Sequence, residues 1–123
     1  MLTDDEIKDD GWRDELAERF GWMGGGYLSF EHLGGWRFIM RDLLERIDAT
    51  LRDEDRGSFC ISQIKEKWAE LRVAHNGGAG IDRLVDAAEA ASRITCDVCS
   101  GRGRVQGTGW ISTRCAVHED WRG

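Results

Sequence analysis

Proline is absent from the 123 residues. With it goes the Pro-Cys-x-x-Cys element of the zinc-dependent deaminases, and their His-x-Glu box is missing as well. No apolar run approaches the ~20 residues that a membrane-spanning helix requires, so no membrane association is expected. Residues 1–10, MLTDDEIKDD, are acidic where a secretory or transit leader would be basic and apolar, so none is expected. The Gly24–Gly26 run has neither a following Lys nor a Gly-x-Gly-x-x-Gly pattern, and reads as a flexible loop carrying core aromatics rather than a phosphate cradle. There is no Ser-His-Asp order, no activated-cysteine signature around Cys60, and no carboxylate pair spaced for acid–base chemistry. His32 and His75 stand alone and read as turn or surface histidines. These absences predict a protein without catalysis.

Cysteine is scarce too, with four in the chain, but three of them are arranged. Cys96, Cys99, Cys115 and His118 form a C-x2-C-x15-C-x2-H array. In each clamp a tight turn can aim two side chains at one ion, and zinc accepts such a Cys3His set as a tetrahedral site. Two unrelated pairs, or a Cys96–Cys99 disulfide, would leave His118 mirroring the first clamp for no reason. Four protein ligands close a zinc site, which makes its role structural; catalytic zinc keeps a position for water. Glu119 and Asp120 read as solvated residues beside the last ligand. The lone Cys60 reads as a small packed hydrophobe, and this cysteine usage suits a reducing cytoplasm better than an oxidising compartment.

A hydrophobic share of 41% with six Trp argues against disorder and for one folded unit. Residues 1–94 are expected to form the body, and residues 95–123 a zinc-binding module continuous with it. Residues 4–20 read as a first helix, with Thr3 as N-cap and Glu6 three residues on; Gly11 weakens its middle, so order is expected from near Trp12. Trp36, Ile39, Met40, Leu43, Leu44, Ile47 and Leu51 recur at helical spacing and predict a helix over 35–52. Residues 53–57 (DEDRG) read as a polar loop. Residues 80–94 return to helix with Ile81, Leu84, Val85, Ala88 and Ile94 inward. Over 58–75 the signals conflict. Phe59 and Ile61, then Leu71 and Val73, alternate as in strands, whereas Ile64, Trp68 and Leu71 recur as on a helix. Between the clamps, RVQGTGWIST predicts a short hairpin.

Charge is unevenly placed. Residues 1–31 hold nine acids against Lys8, Arg13 and Arg19, which is the whole net charge of −6. The plain reading is a solvated helix face with a frayed end. The sharper one is a partner-binding surface at Asp4, Asp5, Asp9 and Asp10, because net charge bears on partners rather than fold. In the last 29 residues Arg102, Arg104 and Arg114 with Trp110 could contact phosphate and stack a base. A balance of about +1 is a poor nucleic-acid footprint, so Trp110 covering the metal and solvated arginines are preferred.

Cys99-Ser-Gly-Arg-Gly103 locally resembles the Cys-x-x-Cys-x-Gly-x-Gly unit of the J-domain chaperones. Those carry four such units, so the resemblance implies turn geometry alone, with glycines letting backbone N–H groups face the sulfurs. Four longer segments, GGWRFIMRDLLERID at 34–48, SQIKEKWAELRV at 62–73, AEAASRITCDVCSGRG at 88–103 and GWISTRCAVH at 109–118, together resemble a family of short uncharacterised proteins of bacteria, phages and prophages. The resemblance spans about residues 34–118. It departs at Ala69-Glu70, where the family has Gly-Gly. It implies an α+β fold with an antiparallel hairpin over 58–75 packed by helices 35–52 and 80–94, a metal site at Cys96, Cys99, Cys115 and His118, and a mobile-element origin. It implies no activity. The expected function is therefore a non-enzymatic module for a protein partner, such as an inhibitor of a CRISPR effector or another nucleic-acid-processing defence complex. A nucleic-acid-binding regulator ranks second and an enzyme last.

Overall fold

The computed structural model describes residues 1–123 as an α+β fold with two small antiparallel hairpins. Its elements are α1 (Asp4–Lys8), α2 (Gly11–Phe20), α3 (Arg37–Thr50), α4 (Asp53–Arg56), β1 (Ile61–Lys67), β2 (Glu70–His75), α5 (Ala79–Ser92), β3 (Arg104–Gln106) and β4 (Ser112–Arg114). The expected helices over 35–52 and 80–94 and both hairpins are present. Single 3-10 turns fill Gly21–Gly24, Gly34–Trp36 and Ala116–His118.

Three local expectations change. The first helix is two: a Thr3–Glu6 capping box starts α1, the chain leaves it at Asp9, and α2 begins at Gly11. The Asp9 carboxylate accepts from the Gly11 N–H at 2.8 Å, so the break has its own side-chain partner. The polar loop after α3 contains the single helical turn α4, with three acids in its first turn. Ile94 lies beyond the end of α5 and is exposed rather than inward.

One apolar stripe of α3, Met40, Leu43, Leu44 and Ile47, packs beneath the fully buried Trp36. Against it lie Leu16 and Phe20 of α2, Ile64 and Leu71 of the hairpin, and Ile81, Val85 and Ala88 of α5. In β1 the buried residues are Ile61 and Ile64, three apart instead of two. A bulge between Ile61 and Gln63 absorbs the extra residue and returns both side chains to the core face. Trp68, the middle member of the apparent helical repeat, sits in the hairpin turn and is 68% exposed. That turn is the two-residue connection Trp68–Ala69, both left-handed, with φ of 54° and 65°. Such turns favour Asn-Gly because both central residues need positive φ. Here a bulky aromatic and an alanine adopt it, so the tight turn forms without glycine at either central position.

Neither edge of the larger hairpin is left bare. Along β1, Glu31 pairs its N–H with the Ile64 carbonyl (3.0 Å) and its carbonyl with the Glu66 N–H (2.9 Å). Along β2, Ser92 Oγ accepts from Leu71 N–H at 2.9 Å and Glu89 accepts from Val73 N–H at 3.2 Å. Side chains of α5 thus substitute for a third strand.

Candidate metal centre

The first clamp leaves α5 almost at once. Cys96 N–H donates to the Gly101 carbonyl (2.7 Å) and Ser100 N–H to the Cys96 carbonyl (3.1 Å), folding residues 96–101 into a knuckle. Ser100 holds φ of 68° to close it. Gly101 then passes so near Cys99 that a Cβ would lie 3.3 Å from its sulfur, and its backbone N–H favours the thiolate there. The β3–β4 hairpin carries the chain out and back, delivering Cys115 directly after β4. One 3-10 turn later, His118 returns to the same point.

The four donor atoms lie within 4.8 Å of one another. Cys99 Sγ is 3.7 Å from Cys115 Sγ, and Cys115 Sγ is 3.2 Å from His118 Nδ1. A tetrahedral ion with metal–sulfur bonds of about 2.3 Å has S···S edges of about 3.8 Å, so the thiol pair is already at coordination spacing. Cys96 and Cys99 are fully buried, and Cys115 and His118 half-buried. Among the protein groups themselves, burial pushes the Cys99 thiol up to about 12, against the opposing pull of the Gly101 N–H. Burial also works against ionising Cys115, but the His118 ring, its backbone N–H and the neighbouring sulfurs hold that thiol down at about 7. A bound cation would favour the thiolate at both positions, because thiolate is the ligand form. Three sulfurs and one imidazole fill a tetrahedron and suit a borderline-soft ion.

The knuckle is bonded to the body at several points. Gly35 N–H donates to the Asp97 carbonyl (2.8 Å), and Ser100 Oγ donates to the Gly35 carbonyl (2.6 Å). The Trp36 indole N–H donates to the Thr95 carbonyl at 2.9 Å. Thr113, fully buried on β4, donates its hydroxyl to the Ala69 carbonyl at 2.6 Å, which ties the metal hairpin to the strained turn. Leu2 N–H donates to the Cys99 carbonyl at 2.7 Å, and Ile7 packs on the apolar side of the clamp. The N-terminal segment is therefore anchored at the metal centre, not frayed.

Arg114 is not the solvated arginine expected. It bonds the buried Asp97 at 3.1 Å and the Trp121 carbonyl at 2.8 Å. Burial pushes the Asp97 carboxyl above its ordinary range and Arg114 pulls it back. Trp110 does not cover the metal site: it is 83% exposed, and Trp121 packs against the Cys96–Val98–Cys99 cluster instead. Arg102 is exposed, and Arg104 sits 3.7 Å from Glu119, so Glu119 is a surface pair rather than a purely solvated group. His32 is buried, not at the surface, and His75 is paired with Asp82 at 3.0 Å.

The four aspartates of the acidic segment divide into two pairs. Asp4 and Asp5 are exposed in the first turn of α1 and make no ion pair. Asp9 caps the α1–α2 break, and Asp10 bonds Arg13 at 3.2 Å. Sequence reasoning missed Asp97, Trp121 and Gly35. Asp97 and Gly35 each adjoin a residue that it singled out, but their partners lie 17 and 62 positions away. No protein-family profile, curated protein or solved structure matches the chain. No helix is long and apolar enough to cross a membrane.

Proposed function

We propose that this chain is a small zinc-binding, non-enzymatic interaction module of phage or mobile-element origin. It blocks a host defence complex, such as a CRISPR effector, by binding where that complex receives nucleic acid. Zinc is the ion because three thiolates and one imidazole at tetrahedral spacing match its preferred set, and four protein ligands leave no position for reactive water. The observation that carries the interaction reading is the display of Asp4 and Asp5. They stand exposed on a helix held to the metal centre through Leu2 and to α3 through the Arg37 bond to the Glu6 carbonyl (3.0 Å). A fixed acidic face can mimic nucleic acid for a basic channel and speed encounter with it.

Association kinetics test the reading. With the partner first captured from a bacterial lysate on the zinc-loaded chain, Asp4→Lys with Asp5→Lys should slow association at low salt more than it speeds dissociation. Asp9 and Asp10 are poor probes, because reversing them also removes the α2 start contacts. An unchanged on-rate rejects the acidic-face mechanism. The second reading, a nucleic-acid-binding regulator, draws on the exposed Trp110 in the loop between β3 and β4 and on Arg104 of β3. It is the weaker one, since Arg114 is occupied by Asp97 and Arg104 faces Glu119. Salt-dependent retention on DNA would favour it.

A further inference from the structure

A cleft of about 560 Å³ separates the metal hairpin from residues 30–33 and has no role in holding the ion. Trp110 and Trp121 wall one side, Phe30 and His32 the other, and Glu31 and Glu66 line it as well. Its charged groups differ in what they have left to offer. Arg13 already bonds the Phe30 carbonyl, the His32 carbonyl (2.7 Å) and Asp10. Arg114 is held by Asp97 and the Trp121 carbonyl. Neither Glu31 nor Glu66 makes an ion pair, and Glu66 Oε2 accepts only a long bond from the Ala69 N–H (3.4 Å). His32 gives its Nδ1–H to the Leu33 carbonyl at 2.7 Å, which leaves Nε2 a lone-pair acceptor, buried and without a partner. The cleft therefore offers two carboxylates outside any ion pair and an exposed indole, against a single unpaired cation, Arg122.

We infer that this cleft receives an arginine side chain from a partner polypeptide, its guanidinium stacked on Trp110 and donating to Glu66 and Glu31. A guanidinium is planar, donor-only and weakly hydrated, so it satisfies an aromatic face and carboxylate acceptors together. A lysine ammonium lacks the plane. A phosphate would meet two carboxylates that no cation neutralises, with the best-placed arginines already occupied. Burial also holds His32 down at about 4, so its ring is neutral at pH 7 and does not repel a cation. The net charge of −6 draws basic segments towards the protein as a whole. The inference rests on reading the chain as a protein-interaction module, but it places a contact at residues other than Asp4 and Asp5.

The test uses the full zinc-loaded chain and three probes: a nonapeptide of alternating Arg and Gly, its Lys counterpart, and a ten-nucleotide oligothymidine. Indole N–H shifts and tryptophan fluorescence report occupancy. The arginine peptide should bind saturably and tighter than the lysine peptide by about five-fold, the added weight of planar stacking and paired N–H donation. Trp110→Ala and Glu66→Gln should each weaken it by a similar factor with zinc content unchanged, whereas Asp4→Lys with Asp5→Lys should move it less than about two-fold. Equal affinity for both peptides, indifference to Trp110→Ala and Glu66→Gln, or oligothymidine binding that tightens in Glu66→Gln would each overturn the inference. If the peptide fails but the Asp4/Asp5 variant still slows association with the complex, the acidic-face reading stands alone. If the peptide binds and that on-rate is unchanged, the cleft stands alone.

Discussion

The amide of Gly35 meets the carbonyl of Asp97 at 2.8 Å, at a spot where a Cβ on Gly35 would lie 2.3 Å from the Cys96 carbonyl oxygen. Body and knuckle approach backbone to backbone there, and no flexible side chain can give way. Gly35→Ala should therefore cost about 3 kcal/mol or more and lower the melting temperature by on the order of 10 °C. Zinc affinity should fall with it. Gly80→Ala, where the added methyl meets nothing within 4 Å, is the control and should be neutral or slightly stabilising. Thermal melts of the two variants decide the matter.

Zinc should bind near one per chain in protein purified without added metal, as read by elemental analysis. Structural zinc in small modules contributes on the order of 10 kcal/mol of apparent binding free energy, comparable to the stability of a whole domain. Cys115→Ser should lose the ion and the order of residues 95–118. Because Leu2 and Ile7 rest on the same clamp, α1 should loosen too, seen as faster amide exchange at residues 2–8. An intact fold with substoichiometric metal would reject the structural role.

Thr113→Val keeps the shape and removes the buried hydroxyl that serves the Ala69 carbonyl. An acceptor left buried without its donor costs about 1–3 kcal/mol. Urea unfolding should show that loss with an unchanged slope. Thr108→Val, at an exposed residue of the same hairpin, should show almost none.

Stability should depend on pH through His32. Burial first, set against the raising effect of the Leu33 bond, holds its folded value at about 4 from an ordinary 6.5. The unfolded chain takes up the proton first, so stability is full above about 6.5 and is lost as pH falls towards 4. The loss over that window is on the order of 3 kcal/mol. Metal ligands also take up protons in acid. The comparison is therefore the slope of stability against pH in the wild type and in His32→Phe, at equal zinc occupancy. The variant should be flatter whatever its absolute stability.

Trp68 holds φ of 54° with its ring 68% exposed, so it bears left-handed strain without compensating burial. Trp68→Asn should raise stability by about 0.5–1 kcal/mol, since asparagine tolerates that conformation. An unchanged or lower denaturation midpoint would contradict this.

The ligand set was legible because clamp spacing is a local property: two residues between donors is what one turn needs, whatever the rest of the fold does. The α3 stripe was legible for a similar reason, since Trp36 to Ile47 repeat on the 3.6-residue period of a single helix. In 58–75 both periods were present. The bulge placed Ile61 and Ile64 three apart, and the exposed Trp68 imitated a helical repeat, so the strand reading needed a resemblance to decide it.

By itself the sequence determined the Cys96, Cys99, Cys115 and His118 set, the helices around Leu43 and Val85, and the crowding of negative charge into residues 1–31. Each clamp, each helix stripe and each run of acids is written in neighbours a turn or two apart. Tertiary structure alone decided that Asp97 pairs with Arg114, that Trp121 rather than Trp110 packs beside the clamp, and that Gly35 must lack a side chain. It also decided that Leu2 docks on Cys99 and that His32 is buried with a free acceptor. The reason is physical: burial and hydrogen-bond partnership depend on what the chain brings back from distant positions, and no local period encodes that return.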